Sequence, residues 1–206
     1  MITLFGKFAP RTHRNYWLLA ELDVPHQVEP VDYSTGDTRR PDYLKINPAG
    51  KIPALRDGEF TLTESYAINL YLAWRYGPGL WPQDDPAAVA RILQWTLWAA
   101  TEFEPPAMVR TIQYMYRPPE GRDHAQLAEL AARNETLCGH LEKALADGPY
   151  LAGPTFTVGD LNVAAAADLL ARSAFDLTRW PAIASWLDCC RQRPAYQQFA
   201  EREWVR

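Results

Sequence analysis

The 206-residue chain is poor in cysteine, has no long apolar run and carries no excess of positive charge. Three cysteines, an odd number, exclude a disulfide framework as the source of stability and fit a reducing compartment. The adjacent pair Cys189-Cys190 is too tight for an unstrained bridge, and Cys138 stands apart. Twenty-one Lys and Arg against twenty-five Asp and Glu leave a net charge of −4, so the basic footprint of a nucleic-acid binder is missing. No stretch approaches the roughly 18 consecutive apolar residues of a membrane helix. The opening residues Met1 to Gly6 lack the basic and apolar regions of a secretory leader. The expectation is a cytoplasmic protein with neither membrane nor nucleic acid as a partner. His13, His26, His124 and His140 fall at no metal-ligand spacing, so no metal is expected.

What is present is a globular composition, 48% hydrophobic and 22% charged, with a surplus of 8 Trp and 17 Pro beyond what packing and turns require. At roughly 150 residues per domain the length corresponds to one large domain or two small ones. Ile2 to Phe5 reads as a buried strand and Thr12 to Leu22 as a helix with two apolar faces, which implies packing on a sheet. His26 to Val31 alternates as a second strand, followed by a polar loop and a short helical turn around Asp42 to Ile46. Ile52 to Leu55 and Phe60 to Leu62 flank an Asp57-Gly58 hairpin signal, and Ser65 to Arg75 reads as a helix. The Pro- and Gly-rich segment Tyr76 to Pro86 has linker composition. Everything after it reads as helices punctuated by Pro or Gly: Ala87 to about Met115, Asp123 to Asp147, Val158 to Ala174, Pro181 to Arg191 and a last piece from Pro194. The predicted organisation is an α/β domain over residues 1–77 in the order βαβ then ββα, and an all-helical domain over residues 86–206.

The most informative stretch is Asn47-Pro48-Ala49-Gly50-Lys51-Ile52-Pro53-Ala54-Leu55, with Leu62-Thr63-Glu64-Ser65-Tyr66-Ala67-Ile68 after the hairpin. A Pro at the start of an apolar strand cannot donate to the ladder, so it belongs at an edge or a bend. A cis Ile52–Pro53 bond would turn the backbone sharply and leave the Ile52 N–H and C=O free to pair with an extended peptide. Ser65 at a helix start presents N–H groups to a carboxylate, and Glu64 beside it accepts from an ammonium. Together these residues read as a clamp for an amino-acid end.

Those two segments resemble the glutathione-binding half of the cytosolic glutathione transferase family. The likeness extends along the chain through Trp17-Leu18-Leu19-Ala20-Glu21-Leu22, like the family's first helix, and Tyr150-Leu151-Ala152-Gly153 to Asp160, like its C-terminal capping segment. The resemblance implies a thioredoxin-like N-terminal domain, an all-helical C-terminal domain that contributes the electrophile pocket, and a homodimer. Glutathione would be the co-substrate, with Ile52 and Pro53 holding its cysteinyl part, Glu64 and Ser65 its γ-glutamyl end, and Lys51 lying near its glycine carboxylate.

The chain departs from the family pattern in the loop after the first strand, Lys7 to His13. Many members offer a Ser, Cys, Thr or Asn to the sulfur there, or a Tyr at the end of the preceding strand. This chain has Phe5, Ala9 and Arg11 instead. Holding a thiol of reference pKa near 8.5 as thiolate at neutral pH asks the site for about 2.7 kcal/mol. A hydroxyl or a guanidinium can supply that, so Thr12 and Arg11 are the candidate catalytic groups, beside the blander readings of Thr12 as a helix cap and Arg11 as a solvated loop charge.

In the helical half, Trp95 and Trp98 are i, i+3 neighbours that share a face and most simply pack into the core, on a long helix broken near Pro105-Pro106. By resemblance Phe103, Met108, Arg110 and Tyr114 line a pocket for a small apolar electrophile, with Phe8 closing it. Thr157-Val158-Gly159-Asp160 reads as a capping box, a structural device. Six of the eight Trp, including Trp180, Trp186 and Trp204, fall in the linker or the helical half. The expected function is conjugation of glutathione thiolate to an apolar electrophile. Glutathione-dependent disulfide or peroxide reduction and a non-catalytic glutathione-binding or interaction module are the alternatives.

Overall fold

The structure, a computed structural model, describes residues 1–200 and 202. Trp204 lies outside the described residues. The chain divides into two compact units. The first is Met1–Pro78 together with the segment that begins at Pro194, and the second is Gly79–Arg193.

The first unit is built on the strand β1 (Ile2–Phe5), which is buried at every position. It pairs in parallel with β2 (His26–Glu29), Leu4 opposite Val28, and antiparallel with β3 (Ala54–Asp57), Leu4 opposite Leu55. The β3 strand continues through a two-residue turn into β4 (Phe60–Thr63), giving the sheet order β2-β1-β3-β4. Gly58 enters that turn at φ +60°, a conformation that suits glycine and explains the Asp-Gly signal. Between β1 and β2 runs α1 (His13–Leu22), and α2 (Pro41–Ile46) and α3 (Ser65–Tyr76) follow β2 and β4.

Because side chains alternate along a strand, β1 feeds both faces of the sheet. Phe5 joins Val31, Tyr43 of α2 and Ala54 in one buried cluster, with Ile46 and Ile52 packed against it. Leu4 and Leu55 point the other way and are fully buried. Helices α1 and α3, packed on each other, cover that side. This βαβ-ββα arrangement is the thioredoxin-like fold.

The second unit is helical throughout its described elements: α4 (Pro86–Trp98), α5 (Glu104–Tyr116), α6 (His124–Leu145), α7 (Val158–Arg172) and α8 (Pro181–Arg191), joined by short turns. At its centre lies α7, buried from Val158 to Leu170, so it shows no polar face. Its alanine run lets α4 and α5 pack closely on it. A Cβ on Gly159 would stand 3.2 Å from the Ile92 Cα, so α4 crosses α7 at the glycine. Buried polar bonds fix the register, with Asn162 donating to Thr96 at 3.1 Å and Thr111 to the Leu169 carbonyl at 2.6 Å.

The break expected near Pro105-Pro106 is a π-helical turn, Ala99–Phe103, between α4 and α5. Both prolines then fall in the first turn of α5, where their missing N–H groups cost little. Trp95 and Trp98 are half-buried and not in the core as expected; they meet edge-on at 5.2 Å, and Trp98 stacks on the buried Phe103 at 5.1 Å.

One boundary differs from the sequence expectation. The segment from Pro194, including the short α9 (Pro194–Gln197), belongs to the first unit. The cause is aromatic: Tyr196 meets Trp17 at 4.8 Å, and Phe199 meets Phe8 at 5.8 Å. The separation in sequence hides this pairing.

The capping box of α7 forms, and Asp160 does more than close it. Its fully buried carboxylate accepts from the Thr157 N–H and hydroxyl, both at 2.9 Å, the Leu151 N–H at 2.8 Å and the Trp186 indole N–H at 3.2 Å. Burial pushes its pKa up while these donors oppose the shift. Asp160→Ala would strand them in the core, and we expect a loss of about 2–4 kcal/mol of unfolding free energy. Chemical denaturation of the helical unit's transition tests this, and a midpoint matching the wild type would refute the role.

Candidate functional site

A polar cavity in the first unit is lined by Asn47, Ala49, Lys51, Ile52, Pro53, Glu64, Ser65 and Arg11. The five clamp residues expected from the sequence therefore share one cavity with Arg11, although the six come from three separate segments.

Two local devices shape one wall. Asn47 donates to the Lys51 carbonyl at 2.7 Å and accepts from the Ala49 N–H at 3.1 Å, tying the Asn-Pro-Ala-Gly-Lys turn to itself. Tyr43 donates to the same carbonyl at 2.5 Å, and burial pushes its phenol up to about 12. The Ile52–Pro53 bond that follows is cis. Neither Asn47 nor Tyr43 figured among the expected site residues; the Asx-turn pattern Asn47-Pro48-Ala49-Gly50 was their only sequence signal.

The opposite wall is the start of α3. Glu64 sits at φ +69°, a left-handed conformation that costs a non-glycine residue roughly 1–3 kcal/mol and recurs where a ligand is clamped. Although it occupies the cap position of α3, its side chain makes no capping bond. That carboxylate is exposed and turned to the cavity. Ser65 is buried, and its Oγ accepts from the Arg14 guanidinium at 3.0 Å. Arg14 is itself fully buried and stacks on Tyr66, 3.9 Å from the ring centroid. Asn15 donates to the Ser65 carbonyl at 2.9 Å and to Asn69 at 2.7 Å, and Asn69 donates back to the Arg14 carbonyl at 3.2 Å. A buried polar junction thus locks α1 to the first turn of α3. Sequence reading missed it, because Arg14, Asn15 and Asn69 look like ordinary helix residues until the two helices meet.

The other expected residues are placed elsewhere. Thr12 is fully buried, makes no capping bond and does not line the cavity. Phe8 is buried beneath His13, Tyr16 and Phe199, with Arg202 over its ring. Phe103 is buried under Trp98. Arg110 is buried as well, donating to Ser173 Oγ and carbonyl and to the Leu127 carbonyl. Desolvation lowers its pKa, and its three bonds make it a strut of the helical unit. Met108 and Tyr114 are half-buried, and Arg122 lies 4.2 Å over the Tyr114 ring. The exposed face of α5 is instead the row Pro105, Val109, Ile112 and Tyr116. These lie at i, i+4, i+7 and i+11, one helical stripe. That spacing was readable, but periodicity alone does not say which apolar stripe faces the core.

Among the described residues no group of His, Cys, Asp or Glu is arranged to hold a metal ion, and no helix is long and apolar enough to cross a membrane.

Comparison with known proteins agrees with this geometry. The model of the glutathione S-transferase N-terminal domain matches residues 1–74, and that of the C-terminal domain matches residues 106–194. The chain belongs to the glutathione S-transferase family. It is 33% identical to glutathione S-transferase 3 of Zea mays, over 96% of this chain and 92% of the relative. It is 29% identical to the disulfide-bond oxidoreductase YfcG of Escherichia coli, over 96% and 94%. A theta-class glutathione S-transferase from Xanthomonas axonopodis pv. citri, solved with glutathione bound, superposes with a TM-score of 0.92 at 30% identity, covering 99% of both chains.

The turn that carries Lys51 depends on Gly50, at φ +59°. A Cβ there would stand 3.0 Å from the Thr38 carbonyl oxygen and 2.8 Å from an Arg39 nitrogen. We expect Gly50→Ala to cost about 1–2 kcal/mol of stability, from the left-handed backbone and the tight carbonyl contact together. A thermal melt checks it, and an unchanged melting temperature would contradict the strain.

Proposed function

We propose that the protein is a glutathione transferase that binds the tripeptide in the cavity of its first unit and joins the sulfur to an apolar electrophile. The observation that carries this reading is the shared lining of Lys51, Ile52, Pro53, Glu64 and Ser65. Glutathione brings two carboxylates, one ammonium and a thiol. Glu64 matches the ammonium, the Ser65 end of α3 matches the α-carboxylate beside it, and Lys51 matches the distal carboxylate. The buried Arg14 guanidinium behind Ser65 adds positive potential at the carboxylate end. The free backbone edge at Ile52 suits the cysteinyl peptide.

For the second substrate, the stripe Val109, Ile112 and Tyr116 on α5 supports an apolar acceptor and takes the place of the buried Phe103 and Arg110. A homodimer is the expected assembly. The aromatic run Phe60, Tyr71 and Trp74, whose rings lie 4.9 and 6.4 Å apart, supports it, since Phe60 and Trp74 stand about half exposed. Free cysteines fit a reducing, cytoplasmic location, and a detoxifying role would follow from the conjugation itself: Cys138 and Cys190 are buried, Cys189 is exposed, and burial raises the Cys138 thiol to about 12. A second reading, glutathione-dependent disulfide reduction, is favoured by one observation, the likeness to the E. coli disulfide-bond oxidoreductase.

Retention on glutathione resin with conjugation of chlorodinitrobenzene is the expected outcome. Retention with disulfide reduction and no conjugation would select the second reading, and failure to bind glutathione would exclude both. Ser65→Ala should weaken glutathione binding by about tenfold or more, the worth of a hydrogen bond to a charged group. Calorimetric titration measures this, and unchanged affinity would dismantle the clamp. Ile112→Glu should raise KM for the aromatic acceptor several-fold while leaving KM for glutathione in place. Equal changes in both would remove α5 from the acceptor site.

A further inference from the structure

We propose that Arg11 is the group that holds the glutathione sulfur as thiolate. The assignment rests on the glutathione reading above and names the catalytic residue for that chemistry.

The loop Lys7 to Thr12 joins β1 to α1 and borders the cavity, so any sulfur partner from this region has six candidates. Lys7 is buried and bonded to Asp32 at 2.7 Å. Phe8 is buried in its aromatic cluster, and Ala9 and Pro10 carry no side-chain donor. Thr12 supplies the loop's hydroxyl, yet it is fully buried. A Cβ placed on Gly6 would lie 3.2 Å from its Oγ1 and 3.1 Å from the Ile52 Cβ. Thr12 thus packs against Gly6, and it is not among the residues that line the cavity. Arg11 is exposed and lines the same cavity as Ile52 and Pro53, the pair assigned to the cysteinyl segment. It is the one member of the loop that does so.

A guanidinium does this work by charge and not by proton transfer. The thiol proton leaves to water, and the guanidinium of Arg11 acts as a fixed positive charge with no acceptor for that proton. The thiolate then attacks the electrophilic carbon; the C–S bond forms and the carbon–halogen bond of the acceptor breaks, its electron pair leaving with the halide. An opposite charge within roughly 4–6 Å lowers a thiol pKa by about one to three units. The exposure of Arg11 places the effect at the low end and makes it sensitive to salt.

The test is the pH titration of the thiolate ultraviolet absorbance of glutathione bound to the full-length wild type and to Arg11→Met, Arg11→Lys and Thr12→Val. S-methylglutathione, which has no thiol, serves as the affinity control. The Met variant should raise the midpoint by about one pH unit and lower kcat/KM about tenfold near pH 6.5, the two enzymes converging as the pH rises. The Lys variant should recover part of the shift, Thr12→Val should leave the midpoint in place, and added salt should raise the wild-type midpoint. Affinity for S-methylglutathione should change less than about twofold in Arg11→Met, which a merely structural role would not spare. An unmoved midpoint in Arg11→Met overturns the assignment. A parallel loss of S-methylglutathione affinity means that Arg11 binds a carboxylate, and a shift confined to Thr12→Val returns the role to the hydroxyl. If the wild type binds no glutathione at all, the reading beneath the assignment fails first.

Discussion

The first unit depends on the buried polar junction between α1 and α3. Arg14 and Asn15 enter from one helix, Ser65 and Asn69 from the other, and each bond runs through a site that water does not reach. Such bonds are individually modest, but leaving their partners unmatched in the core is expensive, so the two helix ends have one low-energy arrangement. That arrangement sets the first turn of α3 and presents Glu64 and Ser65 to the cavity. It also keeps Glu64 in a left-handed conformation that an isolated helix start would relax.

Around this anchor the cavity divides its labour by charge. The Asn47 turn and the cis Ile52–Pro53 bond hold backbone groups at one wall, Glu64 accepts at the other, and Lys51, Arg11 and the buried Arg14 make the surroundings positive. A small peptide with two acidic ends and one ammonium is the chemistry this pattern fits. The helical unit uses its polar side chains differently. Asp160 and Arg110 are both consumed by internal bonds, and the apolar row of α5 remains at its surface. Charge on a helix is therefore a poor guide to function until its burial is known.

The shared cavity lining was legible because its segments are local. Asn-Pro-Ala-Gly-Lys, the Pro at a strand start and Glu-Ser at a helix start each constrain a few neighbouring residues, and short-range backbone preferences survive in the sequence. The capping box was legible for the same reason, although its links to Leu151 and Trp186 were not. Phe8, Phe103 and Arg110 were placed by resemblance and Thr12 by its hydroxyl, and neither reveals which side of an element meets the core.

By itself the sequence determined the βαβ-ββα order and the helical second half, which follow from periodicity and turn chemistry within short windows, and through a family resemblance it singled out five residues that line one cavity. Only the tertiary structure decided that Thr12 is buried outside the cavity lining while Arg11 lines it, that Arg110 is a strut, and that the segment from Pro194 belongs with the first unit through Tyr196 and Phe199. Those outcomes are settled by contacts between residues far apart in the chain. The energy of burying one side chain rather than its neighbour appears only once distant elements close on each other.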